Sequence, residues 1–307
     1  MKSELHPRLS QLIAEERSAT PLGVVYPNDA ASLSAARQVA DLEMASVTLI
    51  GPEASIRAAA EKSQISLSGM QIVDTPEPPR ETAKAATLMT RDKRFAVLMK
   101  GSLHTDDLMS AVVNRDHGLR TARRISHVLM CDIPSYHKLL ALTDCVVNLA
   151  PNVKQKEEIL IDAIGFLQSI GIPKPKVAIV AAVEVVNPAM QATVDAAELV
   201  RQSKRPDFPE SIVEGPFGFD NAISAEAARI KGITSTVSGD PDLLLLPDIE
   251  ASNILFKGLI YLANAACAGT ITGATVPIVL ISRADTVFSR LASVAVSLRS
   301  ARLRHRS

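Results

Sequence analysis

Short apolar runs alternate with longer amphipathic stretches along almost the whole chain. The runs PLGVVYP (21–27), ASVTLIG (45–51), MQIVDT (70–75) and FAVLMKG (95–101) predict strands, as do SHVLMCDI (126–133) and DCVVNLA (144–150). KVAIVAAV (176–183), IVEGPF (212–217), DLLLLPD (242–248) and PIVLIS (277–282) extend the series. Most are continuous rather than alternating, the pattern of strands covered on both faces by helices. The stretches between them have helical period. DAASLSAARQVADLEM (29–44) opens on an Asp that can cap a helix and spaces its apolar residues by three and four. EASIRAAAEKSQI, RETAKAATLMTRD, KQKEEILIDAIGFLQSIG and NPAMQATVDAAELVRQSK read the same way, with Gly171 as a C-cap and Pro173 just beyond it. Repeated β-α alternation predicts a parallel-sheet α/β fold.

The polar, basic stretch GLRTARRISH (118–127) separates a helical run from a new strand. A boundary near residue 122 gives a first unit of about four strands, an ordinary domain size. There is no internal repeat and no low-complexity tract. The last predicted helix, VFSRLASVAVSLRSARLRHRS, ends in an Arg-rich tip, read as a solvated helix end.

Composition narrows the classes. Of 307 residues, 47% are apolar and 21% charged, enough to bury a substantial core. Lys+Arg and Asp+Glu both number 33, so no global basic field favours nucleic acid. Cys131, Cys145 and Cys267 are widely spaced with no CxxC, which argues against a zinc site or disulfide framework and for buried thiols in a reducing compartment. The charged, amphipathic N-terminus does not read as a signal peptide, and no apolar run is long enough to cross a bilayer. The expected location is the cytoplasm.

Polar residues gather where predicted strands end, the edge at which open α/β sheets bind ligands. LMKGSLHTDDL (98–108) places Gly101, Ser102, His104 and Thr105 between a strand and a helix. It is either an anion-binding turn or an ordinary turn with Thr105 as N-cap. VEGPFGFDNAIS (213–224) carries Glu214, Asp220 and Asn221, and LLLLPDIEASNILFKG (243–258) ends a strand on Asp248. Asn253 and Lys257 follow four apart, on one helix face. In PIVLISRADT (277–286), Ser282 and Arg283 close an apolar strand. A guanidinium and a hydroxyl there suit phosphate, though Arg283 could equally pair with Asp285 or a helix end.

The three ordered blocks GPFGFDNA, PDIEASNILFKGL and PIVLISRADT resemble the phosphate acetyl/butyryltransferase family, and look closest to its butyryltransferase branch. The resemblance is dense from 212 to 300 and thinner before 95. It implies a two-lobed, three-layer α/β/α fold like that of isocitrate and isopropylmalate dehydrogenases, with an active-site cleft between lobes. The expected lobes are 1–122 with 275–307, including the C-terminal helix, and 123–274. It also implies a homodimer, and the reversible conversion of acyl-CoA and phosphate into acyl phosphate and CoA without a cofactor or metal.

The resemblance further implies roles. Ser282 and Arg283 would be catalytic, and Gly101, Thr105, Arg120, Ser126, Asp220, Asp248, Asn253 and Lys257 would bind phosphate or CoA. Two positions depart from the family pattern: Ser110 stands where an arginine normally follows the turn threonine by five residues, and Ser289 where the acetyltransferase branch has an aspartate. Arg120, Arg123 and Arg124 are candidates to restore the missing charge. These departures leave a second expectation, a non-catalytic acyl-CoA-binding regulatory domain, either free-standing or excised from a bifunctional enzyme. A dehydrogenase of the related fold would need metal-binding aspartates spaced along a helix, a pattern this chain lacks.

Overall fold

The computed structural model describes residues 2–280 and 285–304. They form two compact units, one of residues 1–123 with 268–307 and the other of residues 124–267.

The first unit begins with α1 (Lys2–Leu5) and α2 (Pro7–Glu15). Regular alternation follows: β1 (Pro21–Val25), α3 (Ala30–Asp41), β2 (Ser46–Gly51), α4 (Glu53–Lys62), β3 (Gln71–Asp74), α5 (Pro79–Arg91), β4 (Val97–Lys100) and α6 (Thr105–Val112). The second unit runs through β5 (Ser126–Asp132), β6 (Leu140–Thr143), α7 (Val153–Ser169), β7 (Lys176–Val180), α8 (Gln191–Gln202) and β8 (Ile212–Phe217). It continues with α9 (Phe219–Ile223), α10 (Ala225–Ile230), β9 (Leu243–Leu245) and α11 (Ile249–Leu262). β10 (Ala266–Thr272), β11 (Ile278–Val279) and α12 (Val287–Arg304) bring the chain back to the first unit.

In the first unit the strand order is β3-β2-β1-β4-β11-β10. All its neighbours are parallel except β10 and β11. In the second it is β5-β6-β9-β7-β8, with only β5 and β6 antiparallel. Every residue of β4, β5, β6 and β9 is buried, as are all but the first of β1 and β2. Successive strand residues face opposite ways, so both faces of each sheet are covered by helices, and the continuous apolar runs follow from that.

The helix signals have visible causes. The Asp29 carboxylate accepts the Ser32 N–H at 2.7 Å and caps α3. Asn152 and Gln155 form a reciprocal capping box on α7. Gly171, at φ +106°, follows the C-cap of α7, a backbone region that favours glycine. α12 packs against α2 and α3, and its basic end is not merely solvated: Arg299 meets Glu15 at 3.2 Å and Arg302 meets Glu16 at 2.8 Å. Burial raises the pKa of the Glu16 carboxyl, and the nearby guanidinium of Arg302 opposes that shift.

DCVVNLA does not form the predicted strand. The Asp144 side chain accepts the N–H groups of Val146, Val147 and Asn148, each at 3.1 Å, so the chain turns there. The strand is the preceding segment, β6.

Candidate functional site

In the first unit, the turns after β1 and β4 come together at the carboxyl ends of the strands. The Gly101 N–H donates to the Val25 carbonyl at 2.8 Å, and the Ser102 N–H and hydroxyl donate to the Tyr26 carbonyl at 2.9 and 2.8 Å. The Ser102 hydroxyl also accepts the Asn28 N–H at 3.1 Å. A Cβ on Gly101 would lie 2.5 Å from the Val25 oxygen and 2.6 Å from the Tyr26 oxygen, so only glycine permits this approach. Beneath the turn, the buried Lys100 ammonium donates to the carbonyls of Gly101 (3.2 Å) and Leu103 (2.8 Å). Tyr26 closes one flank by donating its hydroxyl to Glu77 at 2.6 Å; burial and that carboxylate push the phenol up to about 12.

His104, not Thr105, holds the cap position of α6, and its side chain makes no capping bond. Thr105 is the first helical residue and is exposed. The free N–H groups of the first turn are thus available to an anion, but Asp106 and Asp107 also decorate that turn. Asp107 is engaged by Arg80 of α5 at 2.7 Å, while Ser110 is exposed. Arg120 is exposed and sits in an isolated antiparallel bridge with Ala274, secured next door by the Thr121 hydroxyl donating to the Gly273 carbonyl at 2.7 Å.

The second unit assembles two polar clusters. In one, Asp144 binds the 146–148 turn and also the Asn148 amide at 2.6 Å. That amide donates to the Ile125 carbonyl at 3.0 Å as well, next to the fully buried Ser126. Arg124 donates to Glu158 at 2.8 Å and to Asn148 at 3.3 Å, so its charge is already neutralised within this unit. The Asn253 amide reaches the Cys145 carbonyl at 3.3 Å, which brings α11 onto the same turn. Asp248 caps α11 by accepting the Ala251 N–H at 2.8 Å, and its part is to fix that helix. Lys257 is exposed one turn beyond Asn253, its ammonium 4.7 Å from the centre of the Phe256 ring.

The buried His127 imidazole belongs to this cluster too. Burial pushes its pKa down while the Asp144 carboxylate pulls it up, and Nδ1 has no hydrogen-bond partner. Asp144 and Asn148 escaped the sequence reading because the run DCVVNLA reads as apolar, and His127 because it sits in the apolar run SHVLMCDI. The signal in DCVVNLA was an Asp and an Asn spaced to close a turn on each other.

The other cluster lies around α9. Lys231 bridges Asp220 at 3.1 Å and Glu184 at 3.0 Å, and Asn221 donates to Glu184 at 3.1 Å. The hydrogen bond from Lys231 is the main cause holding the Asp220 carboxyl below its ordinary pKa. Glu214 is engaged by the stretch after α10, accepting from Ser235 and from the Thr236 hydroxyl, the latter at 2.7 Å. The turn at Asp144 is thus reached by Asn253 and by the Ile125 carbonyl, while Asp220 has a separate setting.

Ser282 and Arg283 lie outside the described residues. Beyond them, the Thr286 hydroxyl accepts the Ser289 N–H at 3.2 Å at the start of α12, so Ser289 serves the helix end. All three cysteines are buried free thiols, and burial raises the pKa of Cys131 and of Cys145, a poor setting for a nucleophilic thiolate. No helix among the described residues is long and apolar enough to cross a membrane.

Comparison with known proteins places these features. The family model for phosphate acetyl/butyryl transferase matches residues 77–298, which include the Ser-Arg pair. The chain is 44% identical to a phosphate acetyltransferase of Rhizobium meliloti over 94% of its own length and 92% of that protein. It is also 44% identical to a probable phosphate butyryltransferase of Bacillus subtilis, over 76% of this chain and 78% of that one. Among solved structures, a branched-chain phosphotransacylase from Enterococcus faecalis superposes with a TM-score of 0.81 at 27% identity, covering 92% of this chain and 99% of that chain.

Proposed function

The chain belongs to the phosphate acetyl/butyryltransferase family, and from that premise we propose how its own residues carry out the exchange of CoA for phosphate on a short acyl group. It is an acyltransferase: acyl-CoA and phosphate become acyl phosphate and CoA, reversibly. The observation that carries this reading is a 44% identity extending over 94% of the chain. The relatives bear the names of enzymes, and the catalytic reading is the one taken here.

A phosphate oxygen attacks the thioester carbonyl carbon, the carbonyl oxygen gathers negative charge, and the C–S bond breaks as the thiol leaves with a proton. The protein has to hold two anions together and supply donors to the developing oxyanion. The α6 turn suits phosphate, because Gly101 lets two backbone turns approach and Thr105 presents a hydroxyl beside free N–H groups. Ser282 and Arg283 are assigned the thioester and the phosphate or CoA, respectively. Arg120 in the first unit, and Asp220 and Lys257 in the second, are exposed polar groups that the resemblance assigns to phosphate or CoA, as it does the buried Ser126; Asn253 reaches the second unit's turn and Asp248 caps α11. No acyl-enzyme is needed, since phosphate is itself the nucleophile and all three thiols are buried. No cofactor or metal is needed either, since the thioester supplies the driving force for a reversible exchange.

The acyl group is taken to be acetyl or butyryl, and the protein to be a cytoplasmic homodimer. The homodimer is supported by α11, which carries Ile254, Tyr261 and Leu262 at 73%, 71% and 87% exposure on a helix otherwise rich in apolar residues. The free buried thiols fit a reducing cytoplasm. CoA-dependent arsenolysis of acetyl phosphate and of butyryl phosphate tests the activity. Turnover of at least one is expected, and loss of both would remove the catalytic reading.

A further inference from the structure

We propose that Arg80, on α5, supplies the guanidinium of the phosphate turn that α6 itself lacks. The inference rests on the phosphate-binding reading of the turn and adds a residue to it. α6 opens with Thr105, Asp106 and Asp107, so its first turn offers N–H donors to an anion and at the same time carries two carboxylates that repel one. The helix has no basic residue of its own to offset them: position 110 is Ser, and no basic side chain lies in the last turn.

The offset comes from the neighbouring helix. Arg80 Nε donates to Asp107 Oδ1 at 2.7 Å, across 27 residues of sequence. Asp107 is largely buried, with 14% of its side chain exposed, whereas Arg80 is 79% exposed. The carboxylate takes the Nε–H, and the guanidinium has further N–H donors to offer a second anion. Its placement is specific. Asp107 and Ser110 are three residues apart and so adjacent on one face of α6. Helical side chains lean toward the N-terminus, so a long cationic side chain at 110 would run past Asp107 to the first turn. The Arg80 guanidinium reaches that spot from α5. Asp107 is then the anchor that aims it rather than a carboxylate opposing the substrate.

The ligand chemistry is a phosphate dianion, which could be inorganic phosphate or a phosphate of CoA; since Asp107 belongs to the first turn of α6, which is read as the phosphate turn, the proposal commits to inorganic phosphate. The test varies phosphate and acyl-CoA independently in steady-state assays of the full chain. Arg80→Ala should raise the KM for phosphate roughly tenfold to a hundredfold, the loss of one charge-assisted contact, and leave the KM for acyl-CoA within about twofold. Adding Ser110→Arg to Arg80→Ala should bring the phosphate KM back down, which a purely structural role would not produce. An unchanged phosphate KM, or a raised acyl-CoA KM in its place, overturns the proposal. Arg80→Ala also unpairs the largely buried Asp107, so a modest drop in the melting curve is expected, and the rescue by Ser110→Arg separates the phosphate effect from it. If the wild-type chain turned over neither acyl group, the activity reading would fail by itself. Calorimetric titration with inorganic phosphate then decides on Arg80: weaker binding by Arg80→Ala supports it, while equal binding, or none to the wild type, overturns it.

Discussion

The Gly101 α-carbon sits so close to the β1–α3 turn that an added Cβ would stand 2.6 Å from the Tyr26 carbonyl oxygen. That one approach locks the β4–α6 turn to its neighbour, because Gly101 and Ser102 both donate into the Val25–Tyr26 backbone. Gly101→Ala has to push two backbones apart, and we expect a loss of about 1–3 kcal/mol in urea denaturation, the usual range for overpacking. The phosphate KM should rise with it. Unchanged stability would mean that the turn is free to open.

Asp144 organises the second unit's turn. It accepts three backbone N–H groups and one amide, and it is buried. Asp144→Ala leaves those donors without a partner, at an expected cost of about 3 kcal/mol in chemical denaturation. Asp144→Asn keeps one acceptor oxygen and should lose less. Equal effects of the two changes would argue against the hydrogen-bond account.

His127 predicts a pH dependence with a definite sign. Its folded pKa lies below the ordinary value, since burial outweighs the pull of Asp144. The unfolded chain therefore takes up the proton first. The contribution is fully present above the unfolded histidine pKa of about 6.5, and it falls away as pH drops below that toward the folded value. Denaturation midpoints between pH 7.5 and 5 (roughly the span that brackets this titration) should decline less steeply in His127→Gln than in the wild type. Parallel profiles would show that another group carries the dependence.

Lys156 of α7 and Asp195 of α8 form a buried pair at 2.7 Å, with side chains 7% and 6% exposed. Lys156→Met strands a carboxylate in the interior and should cost about 3–5 kcal/mol in denaturation. Replacing both partners by apolar residues should recover much of that loss. A double variant as unstable as the single one would contradict this.

The sequence made the α/β alternation legible because doubly covered strands are written as unbroken apolar runs. β8 matches its predicted span of 212–217, and β2 and β5 match theirs within a residue. Two strands escaped. β10 is spelled largely with small residues, ACAGTIT, whose burial comes from packing rather than from bulky side chains. β6 was displaced onto DCVVNLA, where a side-chain acceptor outcompeted the ladder. The close turn at Gly101 was legible because a glycine between a strand and a helix has a local cause, whereas the cap of α6 is His104 rather than Thr105. The Asp107–Arg80 pairing joins residues 27 apart in sequence, and no local pattern announces it; the Asp144 turn is local, but its Asp and Asn sit inside a run that reads as apolar.

The central claim is phosphate-dependent acyl transfer. Its most direct measurement is the appearance of thioester absorbance when the purified chain is mixed with CoA and either acetyl phosphate or butyryl phosphate, beside Ser282→Ala and Arg283→Ala. The account predicts turnover by the wild type with at least one acyl phosphate and a large loss in both variants. Thioester formation that is absent from the wild type, or unchanged in the two variants, would contradict it.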